Sequence, residues 1–469
     1  MTDRRAFYET RAPLRARELE RHYHQLIKAH FAFLVPPGVR VLELGCGLGD
    51  VLATVRPARG VGVDFSAAMV ALARQRHPAL EFHEADAAQF STREKFDYII
   101  LSDLVNDLPD VQSLLARLHE FSHPNTRLVI NFFSNLWRPV LAAAESLGEK
   151  SPGPPQNWLA TDDMINLLGL AGWEVVKTDP RILWPAHTPL LGPLLNRWFA
   201  PVLRWFCLTN FVVARPHPRV AGDVRCTVVI PARNEAGNIE AAVQRTPEMG
   251  LGTEIIFIEG HSKDNTWEEI HRVKARHPQR DIKVLKQQSK GKGGAVREAF
   301  SAATGDLLFI LDSDLTVPPE ELPKFYEAAR AHTGDFINGV RLVYPMEEEA
   351  MQFLNMIANK CFGLAFSWLL GQPIKDTLCG TKVLWRADYE AIAKNRAYFG
   401  EFDPFGDFDL LFGAAKLNLR IIDLPIRYRA RTYGETNIQR WKHGWLLLRM
   451  VLFAARRLKF VPARSSAVG

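Results

Sequence analysis

Two carboxylates separated by one residue directly follow a run of apolar residues. Residues 307–311 are all apolar, and Asp312, Ser313 and Asp314 come next. Carboxylates at this spacing offer hard oxygen ligands to Mg²⁺ or Mn²⁺, and such an ion can also bridge the phosphates of a nucleotide. Asp and Ser are also common in turns, so the pattern alone is just as typical of a turn without a metal. The neighbouring segments favour the metal interpretation.

The apolar run before these carboxylates predicts a strand buried on both faces of a parallel sheet. Two further segments that predict buried strands precede it at 226–230 and 254–258, each with one polar residue, and a glycine turn at 290–294 leads into a predicted helix. Ligands of parallel sheets bind where the strands end, and lysines at the start of a helix suit phosphate. The further residues at these ends that are candidates for binding are Pro231, Asn234, Glu235, Glu259, Lys290 and Lys292.

The order of these segments resembles that of family 2 glycosyltransferases with the GT-A fold, over roughly residues 226–442. The later blocks are most similar to the branch that makes polyprenyl-phosphate and dolichol-phosphate sugars. The resemblance implies a nucleotide-sugar donor, linked to UDP or GDP, and an isoprenoid phosphate or other membrane acceptor. It also implies that Asp312 and Asp314 hold Mg²⁺ or Mn²⁺.

The resemblance assigns donor contacts as well. It implies that the six residues just named line the pocket for the nucleoside and its phosphates, and that Arg341 lies at the edge of the donor. The family usually begins an Asp-Asp-Gly-Ser-x-Asp motif where this chain has Glu259, which leaves the nucleobase open. Arg427, Arg429 and Arg431 fit a loop that clamps pyrophosphate, or else form one solvated face of an edge strand.

Three carboxylates are candidates for catalysis at the acceptor. The resemblance places Asp376 in a block that lines the acceptor site, and Asp407 and Asp409 stand one residue apart further on. A hydroxyl acceptor needs a base to remove its proton, whereas a phosphate acceptor is already anionic and needs little such help. Asp407 and Asp409 fit the role of base, but one of them fits equally well as a group that orients a neighbouring arginine.

A second glycine-rich segment lies near the start of the chain. Gly45, Gly47 and Gly49 follow a short strand that carries Glu43, and they allow a sharp turn that brings a ligand close to the backbone. The dinucleotide-binding fingerprint would require glycine at position 50, where this chain has Asp50. That departure and Glu43 argue against NAD as the ligand.

This segment resembles motif I of class I S-adenosylmethionine-dependent methyltransferases. A second predicted strand ends at Asp64, a helix capped by Ser66 follows, and Asp86 comes after a third strand. The resemblance implies S-adenosylmethionine as cofactor, with Glu43 and the glycine loop beside it, Asp64 accepting hydrogen bonds from the ribose hydroxyls and Asp86 near the adenine amino group. The polar residues near the expected methyl-transfer site are interpreted as structural or capping, not catalytic: Asp103, Asn106 and Asp107.

We therefore predict an α/β protein of two domains. A Rossmann-like methyltransferase at 1–216 is joined by a linker at 217–225 to a GT-A glycosyltransferase at 226–437. Residues 438–469 are predicted to form a cationic amphipathic helix on a membrane surface, with packing against the preceding domain as the alternative. The segment 182–213, interrupted by prolines, is interpreted as a packed helical hairpin, with a membrane-facing lid as the alternative.

The composition of the chain restricts the binding partners and the cellular compartment that we expect for the protein. The net charge of +6 permits an anionic partner, and we expect peripheral contact with an anionic membrane and no nucleic acid. The five cysteines lack CxxC spacing, which indicates a reducing compartment and argues against a zinc site or disulfides. The sequence shows no signal peptide and no apolar run long enough to span a membrane. We expect a cytoplasmic protein on the inner face of the membrane.

The sequence thus favours a bifunctional enzyme. We expect metal-dependent, inverting sugar transfer to an isoprenoid phosphate or related membrane acceptor, and methylation of a related glycan or lipid. One alternative is sugar transfer to a soluble hydroxyl acceptor in polysaccharide or secondary-metabolite synthesis. The other is that one half is a binding module without catalytic activity.

Overall fold

The computed structural model describes residues 4–19, 22–148, 153–217, 220–341, 343, 353–399, 408–429, 431, 433 and 440–461. The chain divides into two compact units: the first comprises Met1–His217 and Lys459–Gly469, and the second comprises Pro218–Leu458. Each unit contains one seven-stranded sheet with helices around it. The predicted α/β class is confirmed for both.

The sheet of the first unit has the strand order β3-β2-β1-β4-β5-β7-β6. Strands β1 to β5 are parallel, and β7 runs antiparallel to both β5 and β6. The strands are β1 Arg40–Leu44, β2 Arg59–Asp64, β3 Glu81–Glu84, β4 Phe96–Ser102, β5 Ser122–Phe133, β6 Trp173–Arg181 and β7 Thr209–Pro216. The helices are α1 Arg4–Leu19, α2 His22–Leu34, α3 Asp50–Thr54, α4 Ala67–Arg76, α5 Val111–Arg117, α6 Arg138–Ser146, α7 Thr161–Leu170 and α8 Leu191–Leu194.

The sheet of the second unit has the strand order β10-β9-β8-β11-β13-β12-β14. Strands β8 to β11 are parallel, β13 runs antiparallel to β11 and β12, and β14 is parallel to β12. The strands are β8 Cys226–Ala232, β9 Thr253–Glu259, β10 Asp281–Lys286, β11 Leu307–Ile310, β12 Phe336–Val340, β13 Lys382–Trp385 and β14 Ile421–Pro425. The helices are α9 Ile239–Arg245, α10 Thr266–Arg276, α11 Gly291–Ala302, α12 Leu322–Arg330, α13 Phe353–Leu370, α14 Arg386–Lys394, α15 Phe408–Lys416 and α16 Arg440–Ala454.

Continuous apolar runs become the central strands of both sheets. All four residues of β11 are fully buried, as are Val41, Leu42 and Leu44 of β1. Helices cover both faces of such a sheet, so its middle strands cannot alternate polar and apolar residues. The carboxyl ends of these strands therefore carry the polar residues that each unit can offer to a ligand.

The segment that follows β6 differs from the packed hairpin that we expected. It contains one helical stretch of nine residues, formed by α8 and a π-helical turn at Leu195–Phe199, then short turns, and its end forms β7. Many of its large apolar side chains are exposed, including Leu190, Trp205 and Phe206. The packing that the sequence favoured for this segment is therefore wrong, because the four prolines between 185 and 201 leave no helix long enough to bury them.

Helix α16 has one buried and one exposed side. Leu447, Met450 and Ala454 are buried, whereas Trp445 and Leu448 are 64% and 42% exposed. Packing and surface exposure, which the sequence offered as alternatives, thus occur together on this helix. Among the described residues, no helix combines the length and the apolar character that crossing a membrane requires.

Residue Lys459, which follows α16, belongs to the first unit, where it joins a buried charged cluster. Its ammonium lies 3.7 Å from Asp179, and its carbonyl oxygen accepts a hydrogen bond of 2.7 Å from Arg181. Arg181 and His30 approach the same carboxylate within 3.1 Å and 3.2 Å. Burial lowers the pKa of Lys459 to about 8 and the pKa of His30 to about 4. Three basic groups therefore share one buried acid.

Candidate functional sites

Four parallel strands of the second unit bring the predicted donor residues to one edge of the sheet. Asn234 and Glu235 follow β8, Glu259 ends β9, and Lys290 and Lys292 follow β10. Three more residues complete this edge: Pro231 within β8, and Asp312 and Asp314 after β11. The residues come from separate parts of the sequence, and the parallel strand order is what places them together.

Side-chain hydrogen bonds fix the loops at this edge. Asn234 adopts φ of +57°, a left-handed conformation that Asn tolerates better than most residues. Its backbone N–H donates to Ser262 Oγ at 3.0 Å, and its side-chain oxygen accepts from the Lys263 N–H at 2.7 Å. The carboxylate of Glu259 accepts a short hydrogen bond from the Ser262 N–H. The turns after β8 and β9 therefore hold each other in place.

The two carboxylates after β11 each pair with a basic side chain. Lys292 Nζ lies 2.6 Å from Asp312 Oδ1, and Arg431 Nη2 lies 2.7 Å from Asp314 Oδ2. Arg431 also donates to Glu235 Oε1 at 3.0 Å. Burial opposes the ionisation of Asp312, but the ammonium of Lys292 outweighs it and holds the pKa of Asp312 below its usual value. The site thus combines hard oxygen ligands with cations that suit phosphate.

The pKa of Glu235 shifts in the opposite direction from that of Asp312. Removal from water raises the pKa of this carboxyl above its usual value, even though Arg431 and Asn238 act to lower it. The second carboxylate oxygen accepts a hydrogen bond of 2.7 Å from Asn238. Glu235 is therefore held firmly on both oxygens at the edge of the sheet.

Two of the predicted functional residues pair with each other. Arg341 donates two parallel hydrogen bonds to Asp376, of 2.7 Å and 2.9 Å, and its guanidinium lies over the ring of Tyr428 at 5.1 Å. Asp376 is fully buried and also accepts hydrogen bonds from the backbone N–H groups of Arg341 and Leu378. Burial opposes its ionisation, but Arg341 outweighs burial and lowers the pKa of Asp376. Such a pair fixes the position of Arg341.

Asp409 lies at the start of α15 between two arginines. Its Oδ2 atom accepts hydrogen bonds from Arg297 Nη2 at 3.0 Å and from Arg396 Nε at 2.9 Å. The predicted alternative, in which one of these acids orients a neighbouring arginine, describes this geometry. Asp407 lies outside the residues that the structure describes.

The glycine loop of the first unit forms a small backbone cradle after β1. Gly45, Gly47 and Gly49 all have positive φ, between +52° and +75°. Asp64 accepts hydrogen bonds from the N–H groups of Gly47 at 2.8 Å and Ser66 at 3.0 Å. No atom lies within 4 Å of the place where a Cβ of residue 47 would stand. The loop therefore leaves room for a ligand against its backbone.

The two acids that the sequence assigned to the cofactor are Asp64 and Asp86, and the hydrogen bonds of Asp64 just described use both of its oxygens, which together have about four lone-pair sites. Asp86 is exposed and accepts a hydrogen bond of 2.8 Å from the Ala88 N–H. Both acids therefore lie just at or after the ends of parallel strands, β2 and β3.

Glu43 has a structural contact. It is 1% exposed, and its Oε2 accepts a hydrogen bond of 2.9 Å from the Leu52 N–H in the first turn of α3. Burial raises the pKa of Glu43 well above its usual value. The hydrogen bond from Leu52 therefore ties Glu43 to α3, the helix that follows the glycine loop.

The loop after β4 contains the polar residues that the sequence favoured as structural. Asp103 exchanges hydrogen bonds of 2.6 Å and 3.0 Å with Asn131, and Asp107 accepts one from Tyr8. Asn106 is fully buried, and within the described part of the chain neither polar atom of its side-chain amide has a hydrogen-bond partner. A buried amide without hydrogen bonds lowers the stability of the fold unless a further group forms hydrogen bonds with it.

Comparison with known proteins relates each unit to a family. Residues 42–128 match a model described as methyltransferase domain, and residues 227–393 match one described as glycosyl transferase family 2. The chain joins a methyltransferase domain to a family 2 glycosyltransferase domain. These correspond to the first and second unit.

Two relatives are similar to the glycosyltransferase domain. A dolichol-phosphate mannosyltransferase of Pyrococcus furiosus is 28% identical over 224 residues, which is 46% of this chain and 60% of the relative. An undecaprenyl-phosphate 4-deoxy-4-formamido-L-arabinose transferase of Edwardsiella ictaluri is 26% identical over 214 residues, 45% of this chain and 62% of the relative. The chain thus spans less than two thirds of either relative.

A solved structure is similar to the methyltransferase domain. It is an S-adenosylmethionine-dependent methyltransferase of Thermotoga maritima, described as a possible histamine N-methyltransferase. The sequence identity is 16%, the TM-score is 0.37, and the match covers 45% of this chain and 98% of that one.

Helix α1 was not predicted to take part in the methyltransferase site. Tyr8 packs edge-on against Phe65 with ring centroids 5.8 Å apart, and Glu9 accepts hydrogen bonds from the Ala67 and Ala68 N–H groups at 2.8 Å and 3.1 Å. These partners follow β2 at the cofactor edge of the sheet. Nothing in the polar sequence of α1 indicates this placement, because it depends on residues nearly sixty positions away.

The glycosyltransferase site contains a further residue that sequence reasoning missed. Gly380 lies so close to the first metal-ligand candidate that an added Cβ would stand 2.0 Å from Asp312 Oδ2 and 2.7 Å from Lys292 Nζ. Only glycine leaves both side chains where they are. The sequence gives a weak signal for this, since Gly380 belongs to the block around Asp376 that was assigned to the acceptor site.

Proposed function

We propose that the chain is a bifunctional transferase. The glycosyltransferase domain transfers a sugar from a nucleoside diphosphate sugar to a polyprenyl phosphate, with inversion and with a divalent ion. The methyltransferase domain methylates the product, or a related glycan or lipid, from S-adenosylmethionine. The observation that carries the first activity is the cluster of Asp312, Asp314, Lys292 and Arg431 at the ends of the parallel strands.

The names of the two relatives support the acceptor. Both names contain a polyprenyl phosphate, dolichol in one and undecaprenol in the other. The glycosyltransferase domain is similar to both although the sugars in their names differ. We infer the acceptor class from what the two names share and leave the sugar and nucleobase open.

The donor pocket combines recognition of the nucleoside with binding of its phosphates. Glu235 and Glu259, held rigidly by their hydrogen bonds, accept hydrogen bonds from the nucleoside. Asp312 and Asp314 would hold Mg²⁺ or Mn²⁺, which offsets the charge that develops on the departing nucleoside diphosphate. In the described residues no group of three or more metal-ligating side chains gathers, and two carboxylates suffice where phosphates supply the remaining oxygens.

The acceptor side fits an anionic nucleophile. Asp409 already receives two arginine donors, and Asp376 is engaged by Arg341. We infer that both acids position cations and that neither removes a proton. Among the residues that the structure describes, Arg297 and Arg396 each keep one buried nitrogen without a hydrogen-bond partner, and we propose that these nitrogens donate to the acceptor phosphate. Such an acceptor attacks without a base.

The methyltransferase domain is proposed to work by positioning. Asp64 and Asp86 accept hydrogen bonds from the cofactor, and the open backbone at Gly47 lies against it. S-adenosylmethionine supplies an electrophilic methyl group, which needs an acceptor held in line. The unpartnered amide of Asn106, in the loop after β4, is available to a bound group.

We further propose that the protein is peripheral on the cytoplasmic face of a membrane. The exposed side of α16 carries Trp445, Leu448, Arg449 and Leu452, and Arg456 is exposed just after the helix. Apolar and cationic residues on one face of a helix suit a surface of anionic lipid. A polyprenyl phosphate would reach the glycosyltransferase domain there.

Release of nucleoside diphosphate tests the first activity. The full chain is incubated with a panel of UDP- and GDP-sugars and Mn²⁺, with and without polyprenyl phosphate. We expect release from one donor, at least about tenfold faster with the lipid phosphate. Asp314→Asn is the blank, because it removes a carboxylate charge from the proposed metal site. Asp306→Asn is the matched control, because Asp306 lies just before the opposite end of β11 and is exposed.

Each other outcome has a definite meaning. Release that is independent of the lipid phosphate would move the acceptor into solution and contradict the proposed acceptor. No release from any donor would contradict the proposed sugar transfer and favour a binding module. Equal loss in Asp314→Asn and Asp306→Asn would show that the effect does not come from the metal site.

A further inference from the structure

A short segment of the methyltransferase domain exposes many large apolar side chains. Residues 184–206, here called the apolar segment, hold ten of the 24 large hydrophobic residues that are exposed in the described part of the chain. The most exposed are Leu190 at 87%, Trp205 at 81% and Phe206 at 62%. The others are Trp184, Leu191, Leu194, Trp198, Phe199, Val202 and Leu203. A surface of this kind normally has a partner.

The apolar segment is held in a defined shape. Asn196 donates to the Trp184 carbonyl at 2.7 Å and accepts from the Trp184 N–H at 2.8 Å, which ties the start of the segment to its middle. The indole of Trp137 donates to the Phe206 carbonyl at 2.9 Å and so ties the segment to the start of α6. Helix α6 has no buried residue and exposes Val140. The surface is therefore preformed, and its apolar residues are not the interior of a collapsed loop.

The charge of the apolar segment is positive throughout. Residues 180–222 contain no Asp or Glu. Arg197 donates to the Phe460 carbonyl at 3.1 Å, and Arg204 donates to the Thr178 carbonyl at 2.6 Å. A carbonyl oxygen accepts such a hydrogen bond without cancelling the charge. The segment thus presents two arginines beside its exposed apolar side chains.

We propose that the apolar segment docks the methyltransferase domain on a bilayer of anionic phospholipid. Trp side chains favour the boundary between water and lipid, exposed Leu and Phe enter the acyl region, and arginines are attracted by anionic headgroups. A second copy of the chain fits less well, because a symmetric interface would place the same positive charges against each other. This goes beyond the proposed function, since it assigns lipid binding to a domain for which sugar transfer gives no reason.

Sedimentation with vesicles tests the proposal on the full chain without substrates. Vesicles of phosphatidylcholine are compared with vesicles that contain phosphatidylglycerol. Wild type is expected to bind the anionic vesicles, and less so at high salt. The variant Leu190→Ser/Trp205→Ser/Phe206→Ser is expected to lose binding by about tenfold or more, because three exposed apolar groups no longer enter the bilayer.

The matched control variant removes three exposed apolar side chains outside the apolar segment. Leu170, Val220 and Leu251 are 62%, 68% and 72% exposed and lie outside the apolar segment. Their triple change to Ser is expected to leave binding within about twofold of wild type. A variant of α16, Trp445→Ser/Leu448→Ser, measures the share of binding that belongs to that helix. Light scattering reports the oligomeric state of every variant.

Several results would overturn the proposal. These are wild type that ignores anionic vesicles, a segment variant that binds as wild type does, and binding that only the α16 variant removes. A wild-type dimer that the segment variant turns into a monomer would identify a second copy as the partner. If the triple variant fails to fold, Leu190→Ser alone decides, because its side chain is almost fully exposed. Sugar transfer enters none of these readouts, so the proposed function stands or falls separately.

Discussion

Gly380 shows how a residue without a side chain can control a reactive site. A methyl group there would stand 2.0 Å from Asp312 Oδ2 and 2.7 Å from Lys292 Nζ. Both of those atoms lie at the ends of side chains, so they can move away without unfolding the domain. The variant Gly380→Ala should therefore displace the pair and lower the rate of sugar transfer by about tenfold or more. The rate of nucleoside diphosphate release measures this.

A second glycine in the same domain supplies the control. Gly222→Ala places its methyl group where no atom lies within 4 Å, so the rate should stay within about twofold. The thermal midpoint of both variants should change little. A Gly380→Ala protein with the full wild-type rate would show that the position of Asp312 and Lys292 does not matter for transfer.

At the scale of elements, α1 is expected to slow the exit of the methyltransferase cofactor. Glu9 accepts two hydrogen bonds from the start of α4, beside the residues that follow β2. Glu9→Ala removes both acceptors and leaves a good helix former in place. S-adenosylmethionine should then dissociate about fivefold faster, since each such hydrogen bond contributes on the order of 1 kcal/mol. Stopped-flow displacement measures the rate.

Thr10→Ala is the matched change for this helix. The Thr10 hydroxyl donates only to carbonyls of its own helix, those of Ala6 and Phe7. Its removal should leave the dissociation rate unchanged. If Glu9→Ala also leaves it unchanged, α1 packs beside the site without retaining the cofactor.

At the scale of helices and strands, several features could be predicted from the sequence. An uninterrupted apolar run predicted β11, a short run around Glu43 predicted β1, and Ser66 caps α4 as expected, accepting from the Met69 N–H at 3.2 Å. These features depend on residues that are close in sequence. The pair Arg431–Asp314 joins positions 117 residues apart, and Arg341–Asp376 joins positions 35 apart. The sequence analysis named all four of these residues as candidates, but no local pattern predicts which acid pairs with which base.

Long irregular segments were predicted least well. In the apolar segment, Leu190 has a left-handed backbone with φ of +66° and an exposed side chain. Hydrophobicity argued for burial there, and the prolines argued against the long helix that burial would need. The sequence does not indicate whether other protein residues or a lipid bilayer cover such side chains. The role of Glu43 is also hard to predict from sequence, because a buried carboxyl that accepts a hydrogen bond from a helix has the same sequence pattern as one that binds a cofactor.

For the whole molecule, the two sites are expected to act independently. The described hydrogen bonds of each site come from its own unit, and each unit has its own core. Asp314→Asn should abolish sugar transfer and leave the affinity for S-adenosylmethionine within about twofold. Asp64→Asn should weaken that affinity by about tenfold or more and leave sugar transfer intact. Calorimetry and nucleotide release measure the two effects.

A cross-effect would change this view. If either variant altered the other activity by more than about threefold, the domains would be energetically coupled. If neither variant changed any turnover, one half would be a binding module, as the sequence left open. Fusion by itself establishes neither result.

The cluster around Asp179 has a consequence for synthesis of the protein. The ribosome completes residues 1–217 long before it adds Lys459, which belongs to the same unit. At about 5–20 residues per second, the delay is on the order of ten to fifty seconds. During that time Asp179 has Arg181 and His30 as partners but lacks the ammonium of Lys459. The first unit to emerge is therefore the last to be finished, and its final contact arrives only after the whole glycosyltransferase has been translated.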